Sequence, residues 1–168
     1  MKVSILVLAA AVTPGALADF WLSYLSREIP GAPRIIGGNG KGAIFTRFQE
    51  VSCDQKNATI YPDTDDASGF KMGLRTVPGN IVDPPLYRDP LDVVEFNTGR
   101  PGDGRPGHQT IYKDRGYSMF DVNGKKTGQC FLDRGFTFRL KCPSQGQTII
   151  LEGSSMFRCE TNLDVVFD

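Results

Sequence analysis

The chain has 168 residues, of which 40% are hydrophobic, 19 are basic and 19 are acidic. This length favours a single domain, and the hydrophobic content is sufficient for a packed core, which excludes wholesale disorder. Because the charges balance, nothing points to nucleic acid or an anionic membrane as the main partner. A single histidine and the lack of a Cys-x-x-Cys pair argue against a zinc finger or a thioredoxin-like redox site.

Residues 1–18 have the pattern of a secretory signal peptide. Lys2 supplies the positive charge, residues 5–12 form an apolar run, and Ala16-Leu17-Ala18 fits the cleavage rule. The run is too short to cross a bilayer as a helix. We therefore expect a secreted, extracellular protein whose single domain covers residues 19–168.

The mature region is expected to be β-structure throughout. Turn residues separate β-branched and aromatic runs at intervals of about ten residues, and no stretch combines helical periodicity with helix caps. The pattern predicts an all-β fold: a single compact antiparallel sandwich or barrel of about eight strands, stapled by disulfides. The candidate strands are Phe20–Leu25, Ala43–Val51, Phe70–Val77, Leu91–Asn97, Gln109–Val122, Thr127–Leu132, Phe136–Lys141, Thr148–Glu152 and Ser155–Cys159.

Asn123-Gly124 predicts a β-hairpin. Both residues tolerate the positive φ angles of a two-residue type I′ turn. With that turn, Asp121 faces Lys126 as a cross-strand pair of opposite charge. The same register places Tyr117 across from Cys130.

The cysteines are even in number, and we expect two disulfides among Cys53, Cys130, Cys142 and Cys159. Four cysteines allow three pairings, and the sequence does not select one. A free catalytic cysteine is the alternative, but it would leave another cysteine unpaired. Oxidation of all four in a secretory compartment is therefore the prediction.

Asn57 begins the tripeptide Asn57-Ala58-Thr59, which is an acceptor sequence for N-linked glycans in secreted proteins. A glycan at this position would place the segment after Cys53 at the surface. Without a glycan, the same residues are a polar turn. The sequence alone leaves open whether Asn57 is modified.

Two segments rich in proline and glycine predict loops. Residues 78–90 contain four prolines and cannot form a central strand. Residues 98–108 contain Gly-Arg-Pro-Gly twice and display Arg100 and Arg105 as candidate binding residues. Loops on rigid sheets often carry binding groups, although a neutral connector is the commoner role.

The remaining candidate binding residues are His108, Lys113, Asp114 and Arg115. Three consecutive charges inside a predicted strand place at least one on the inward face, unless a bulge at Gly116 intervenes. One interpretation is a charged edge that deters pairing with other chains. The other is a polar cluster at a binding surface.

A small secreted hydrolase is the alternative to a binding protein. Histidine is the commonest acid or base in catalysis near neutral pH, and His108 with Glu95, Arg115 or Lys113 would supply the acid, base and cation of a ribonuclease. A glycan-active enzyme would instead use a pair of carboxylates. With 19 acidic residues in the chain, the sequence does not indicate which two would form this pair. The sequence assigns no catalytic residue. The acidic turn at Asp63–Gly69 departs from a calcium loop, so we expect neither metal nor cofactor.

Six segments of the mature chain, taken in order, carry a resemblance: Asp19-Phe20-Trp21, Ser52-Cys53-Asp54, Asp66–Gly69, Leu91–Glu95, Thr110–Tyr117 and Phe157-Arg158-Cys159. The most specific part of these segments is Tyr112–Tyr117. Together the segments resemble a group of small secreted cysteine-containing proteins of filamentous fungi that are effector-like. The resemblance covers nearly the whole mature chain and implies a fungal source and a secretory life, but no reaction.

These observations together favour a secreted interaction protein without catalysis. Its expected partner is a host or cell-wall component, and we expect a monomer that binds neither nucleic acid nor membrane. A structural protein of a wall or spore is a third reading, for which abundance and resistance to extraction would be the signs.

Overall fold

The computed structural model describes residues 18–31, 40–78, 91–99, 106–133 and 135–163. Most of the predicted signal peptide, and both Arg100 and Arg105, lie outside these residues. The described chain is almost entirely β-structure, which confirms the predicted class, and its helices are two 3₁₀ turns, Cys53–Asn57 and Lys113–Arg115. The strands are β1 (Ala18–Glu28), β2 (Gly40–Thr46), β3 (Tyr61–Pro62), β4 (Gly73–Val77), β5 (Val93–Asn97), β6 (His108–Tyr112), β7 (Ser118–Asp121), β8 (Lys126–Leu132), β9 (Thr137–Ser144) and β10 (Gln147–Thr161).

The strands form one antiparallel sheet in the order β3-β2-β1-β10-β8-β7-β6-β5-β4, with β9 added beside β10. Strand β10 is its spine, because β1 pairs along one side of it while β8 and β9 follow one another along the other. The two edges of the sheet meet, since the backbone N–H of Thr64 donates to the carbonyl of Leu74 at 2.9 Å. The fold is barrel-like but not closed, because among the described residues an isolated bridge between Asp63 and Leu74, and no continuous ladder, links these edges.

Two apolar clusters stabilise the sheet, one on each face. The larger cluster draws on strands from β1 to β10 and lies on the concave face of the curled sheet. The smaller cluster covers the opposite face of β1, β2, β9 and β10. Fully buried members of the larger cluster are Phe20, Leu22, Tyr24, Phe96 and Phe157, and buried members of the smaller one are Leu25, Ile44, Phe138 and Leu151.

A β-bulge lets β10 contribute to both clusters. The register between β1 and β10 shifts so that Met156 has no partner on β1. One extra residue inverts the alternation of side chains along a strand. Ile149 and Leu151 therefore pack in the smaller cluster, whereas Phe157 and Cys159 pack in the larger one.

The prediction of two separate strands at 148–152 and 155–159 was wrong, because β10 runs through both. Gly153 and Ser154 have the composition of a turn, which accounts for the predicted break. The structure gives Gly153 a different role: a Cβ there would collide with the carbonyl oxygen of Tyr24 and with the ring of Phe138. The glycine thus permits close approach of neighbouring strands rather than a turn.

The prediction of one strand over 109–122 was also wrong. β6 ends at Tyr112, and Lys113–Arg115 form a 3₁₀ turn outside the sheet. Gly116 and Tyr117 both have φ of 62°, which turns the chain back into β7. Because the turn leaves the sheet, all three charged side chains are exposed and none points inward.

The hairpin predicted at Asn123-Gly124 exists with a different turn. The N–H of Gly124 donates to the carbonyl of Asp121 at 3.0 Å, and Gly124 has φ of 76°, whereas Asn123 does not have a positive φ. Four residues, 122–125, separate β7 from β8, instead of the two of a type I′ turn. As a result, Lys126 pairs with Phe120 rather than with Asp121.

Both predicted disulfides are present, as Cys53–Cys142 and Cys130–Cys159. Cys130 and Cys159 are buried and face each other across β8 and β10. The predicted register between Tyr117 and Cys130 is confirmed, since the Cys130 N–H donates to the Tyr117 carbonyl at 3.0 Å. The Cys53–Cys142 bond ties the first 3₁₀ turn to β9.

Candidate functional site

Alternate residues of β4 to β8 point away from the larger cluster and form a surface that we call the open face. Cross-strand pairing aligns these residues in two rows that run across five strands. All but Ser118 keep some exposure to solvent. The first row is Arg75, Glu95, Thr110, Phe120 and Lys126, and the second is Val77, Val93, Tyr112, Ser118 and Gln129.

Glu95 lies at the centre of an ionic cluster on this face. Its Oε2 accepts from Nη1 of Arg75 at 3.1 Å, and its Oε1 lies 2.8 Å from Nε2 of His108. The side chains of Glu95 and His108 are 16% and 18% exposed, against 40% for Arg75. The carboxylate therefore orients both the ring and the guanidinium at the surface. His108 and Glu95 are recognisable in the sequence by residue type, but Arg75 is not, because its place opposite Glu95 depends on the β4–β5 register.

Arg115 joins the open face from the turn that follows β6. Its guanidinium lies over two aromatic rings, 4.6 Å from the centroid of Tyr112 and 4.9 Å from that of Phe120. A cation within about 6 Å of a ring centroid is attracted by the π-electrons of the ring. Arg115 is exposed, so this contact holds its charge at the surface beside two aromatic side chains.

The other two charges of the turn have different surroundings. Nζ of Lys113 donates to Oδ1 of Asp92 at 2.7 Å, with both side chains largely solvent-exposed. Asp114 is exposed in the first turn of the 3₁₀ helix. Of the predicted binding residues that the structure describes, His108 and Arg115 therefore lie on the open face, and Lys113 and Asp114 lie at its rim.

The surface continues from Gln129 onto β10 and β1 as an aromatic extension formed by Trp21, Arg158 and Phe131. These residues are aligned across β1, β10 and β8. The guanidinium of Arg158 lies 5.3 Å from the ring centroid of Phe131, which is 43% exposed. Nε1 of Trp21 donates to Oδ2 of Asp133 at 2.9 Å. Trp21 lies in the predicted strand Phe20–Leu25 but was not named as a binding residue, although its alternation with buried Phe20 indicates an outward side chain.

The acidic turn at Asp63–Gly69 has a structural explanation. Asp66 pairs with Lys71, and hydrogen bonds from Lys71 and then from Ser68 hold the pKa of its carboxyl below the usual range.

Over the described ranges, no group of three or more histidine, cysteine or acidic side chains is placed to hold a metal ion. The same residues include no helix with the length and apolar character that a membrane span requires.

Comparison of the chain with protein-family models, with curated proteins and with solved structures gives no match. Function is therefore inferred from the geometry of the open face and its aromatic extension. Both place an arginine over aromatic side chains of the sheet. That composition is typical of binding surfaces, where Trp, Tyr and Arg contribute most of the affinity.

Proposed function

We propose that the protein is a secreted, effector-like interaction protein that binds a host or cell-wall component through the open face without catalysis. The contact of Arg115 with Tyr112 and Phe120 is the observation that carries this proposal. A cation already held between aromatic rings loses little side-chain freedom when a partner binds, so less of the interaction energy is spent on ordering. The Arg158–Phe131 contact repeats the arrangement on the aromatic extension.

The disulfides support the extracellular part of the proposal. Disulfides form and persist in oxidising compartments and are rare in the cytosol. One joins β8 to β10, the other joins the first 3₁₀ turn to β9, and the described residues hold no free cysteine. A covalently stapled sheet is suited to hold a binding surface in shape outside the cell.

Replacing Arg115 by alanine is expected to weaken binding about tenfold or more, which is the range for a contact of about 1.4 kcal/mol. The reason is that the variant removes both the charge and the packing over Tyr112 and Phe120. The measurement is a concentration series of the mature protein against insoluble cell-wall polysaccharides and immobilised host extract. Saturable retention on one of these would identify the class of ligand.

Arg139 provides the matched control. It is an exposed arginine on β9, outside the open face, and its Nε lies 3.7 Å from Oε2 of Glu152. Arg139→Ala should retain the affinity of the unsubstituted protein. Retention that never saturates, or an equal loss in both variants, would count against the open face as the binding site.

A ribonuclease is the second candidate function, and the cluster of Arg75, Glu95 and His108 favours it. Acid–base catalysis requires a titratable side chain held in one orientation by a partner, together with a cation for developing negative charge. Glu95 orients the ring of His108, and Arg75 supplies the cation. The three side chains lie on the same surface as Arg115, whose guanidinium, exposed over Tyr112 and Phe120, would attract the phosphate backbone of RNA.

If this cluster is catalytic, His108→Ala should reduce cleavage of single-stranded RNA about a hundredfold or more, the usual contribution of a positioned acid or base. Glu95→Gln should reduce it as well, because the amide no longer balances the charge of a protonated imidazole. Purified protein is assayed for RNA cleavage, with Arg139→Ala as the control and circular dichroism as the check of folding. If the protein does not cleave RNA, or if His108→Ala cleaves it equally well, the ribonuclease function is contradicted and the binding function is the one that remains.

A further inference from the structure

A cleft lies beside Asn57, between the end of the first 3₁₀ turn and the β9–β10 connection. Its two lobes have volumes of about 420 and 600 Å³, within the range of sites that hold small molecules. Ile29 and Ile149 give the smaller lobe an apolar wall. The polar residues that line both lobes are Lys56, Asn57, Ser144, Gln145 and Gln147.

Hydrogen bonds at the start of the first 3₁₀ turn fix the segment that forms one side of this cleft. The turn begins at Ser52, whose hydroxyl accepts from the N–H of Asp54 at 3.2 Å, while the Gln55 side chain accepts from the N–H of Ser52 at 2.8 Å. This reciprocal capping satisfies backbone groups at the start of the turn. The last residue of the turn is Asn57, so its position is determined by a capped and ordered segment.

Three links fasten the turn to the strands around it. One is the disulfide between Cys53 and Cys142. Nζ of Lys56 donates to the carbonyl of Pro143 at 3.2 Å, and Nη1 of Arg27 donates to the carbonyl of Lys56 at 3.1 Å. Asn57 therefore lies on a braced edge of the cleft.

The acceptor tripeptide is accessible in the folded protein. Asn57 and Thr59 are exposed, and Ala58 between them has an extended backbone with φ of −57° and ψ of 149°. It is accessible earlier as well, because Cys142 lies 89 residues after Cys53. The disulfide that braces the turn cannot form until Cys142 has been synthesised, by which time the tripeptide has long been exposed.

We infer that Asn57 carries an N-linked glycan and that the first sugars of this glycan lie in the cleft. Sugar rings combine apolar faces with a rim of hydroxyl groups. The cleft matches both, with Ile29 and Ile149 on its apolar side and Ser144 and Gln147 among its polar groups. None of the described residues that line it belongs to the open face, so the glycan would cover the β9–β10 turn and leave the open face uncovered.

The covalent step uses a lipid-linked oligosaccharide as the donor, and this step depends on the secretory route proposed above. The bond from Nδ2 of Asn57 to the anomeric carbon of the first sugar forms as the bond from that carbon to the diphosphate of the donor breaks. The amide gives up one proton, and the lipid diphosphate leaves with its electron pair. No oxidant or reductant is needed.

The modification is tested on the full chain secreted from a eukaryotic host, by intact mass before and after an amidase that removes N-linked glycans. We expect one glycan, with its release converting Asn57 to aspartate. Asn57→Gln and Thr59→Ala should each abolish it, whereas Thr59→Ser keeps the acceptor sequence and should keep the glycan. A protein secreted without a glycan in both its unsubstituted and Thr59→Ser forms would overturn the inference.

The position of the sugars in the cleft is tested by hydrogen exchange. The glycosylated protein is compared with the same protein after it has folded with its glycan and then been enzymatically deglycosylated. This comparison does not depend on whether a variant folds. Exchange of the amides at 144–148 should be about threefold slower or more with the glycan present, because contact with the sugars suppresses local opening. Equal exchange in the two forms would show that the glycan does not lie in the cleft.

Discussion

Replacing Cys53 and Cys142 together by alanine is expected to lower the free energy of unfolding by about 4–5 kcal/mol. The two residues are separated by 89 positions, so the disulfide removes a large part of the conformational freedom of the unfolded chain. Typical domains have only about 5–15 kcal/mol of stability, so the loss would be a large fraction of the total. Urea denaturation followed by circular dichroism measures it.

Lys56→Ala is the matched control for this prediction. Its ammonium also links the first 3₁₀ turn to the β9 region, through a hydrogen bond to the carbonyl of Pro143 at 3.2 Å. Because that contact is exposed, its loss should change the unfolding free energy by no more than about 0.5 kcal/mol. A similarly small change in the double cysteine variant would mean that the covalent link does not constrain the unfolded chain as expected.

Phe20→Ala is expected to lower the free energy of unfolding by about 3–5 kcal/mol. The side chain of Phe20 is fully buried, and its ring centroid lies 5.7 Å from that of Phe45 and 6.4 Å from that of Phe96. Truncation would remove buried apolar surface and leave a cavity among rings that cannot fully close it. The shift of the urea midpoint at constant slope reports the change.

The control for Phe20 is the same substitution at an exposed position. Phe70 is 94% exposed, so Phe70→Ala should change the unfolding free energy by no more than about 0.5 kcal/mol. Comparable losses in the two variants would contradict the assignment of Phe20 to the core. Together with the cysteine pair, this comparison separates the contribution of packing from that of covalent linkage.

The class of fold was predictable because it depends on local patterns. Runs of β-branched and aromatic residues, frequent turn residues and an even number of cysteines together predicted the disulfide-stapled β-domain correctly. Two errors in the predicted strand bounds arose at residues whose type is compatible with two local structures. Gly153 looks like part of a turn but lies inside β10, and Phe70 looks like the start of a strand but is exposed ahead of β4.

The candidate site was predictable only in part, because pairing between distant strands assembles it. His108 and Arg115 stood out by residue type. The significance of Arg75 depends on its place opposite Glu95, and that of Arg158 on its place beside Phe131. No local pattern reports such registers, and bulges such as the one at Met156 shift them further.

The central position of β10 determines when, relative to synthesis of the chain, the sheet can assemble. The spine of the sheet is the last-made of its described strands, while β1, its main partner, is the first. Until residue 147 is synthesised, β1 can pair on one side only, with β2. Contacts between such distant segments form slowly, and unpaired strand edges invite aggregation. Under the secretory route proposed above, translocation and folding would be successive stages, and the sheet would assemble in the compartment that also supplies the oxidant for the disulfides.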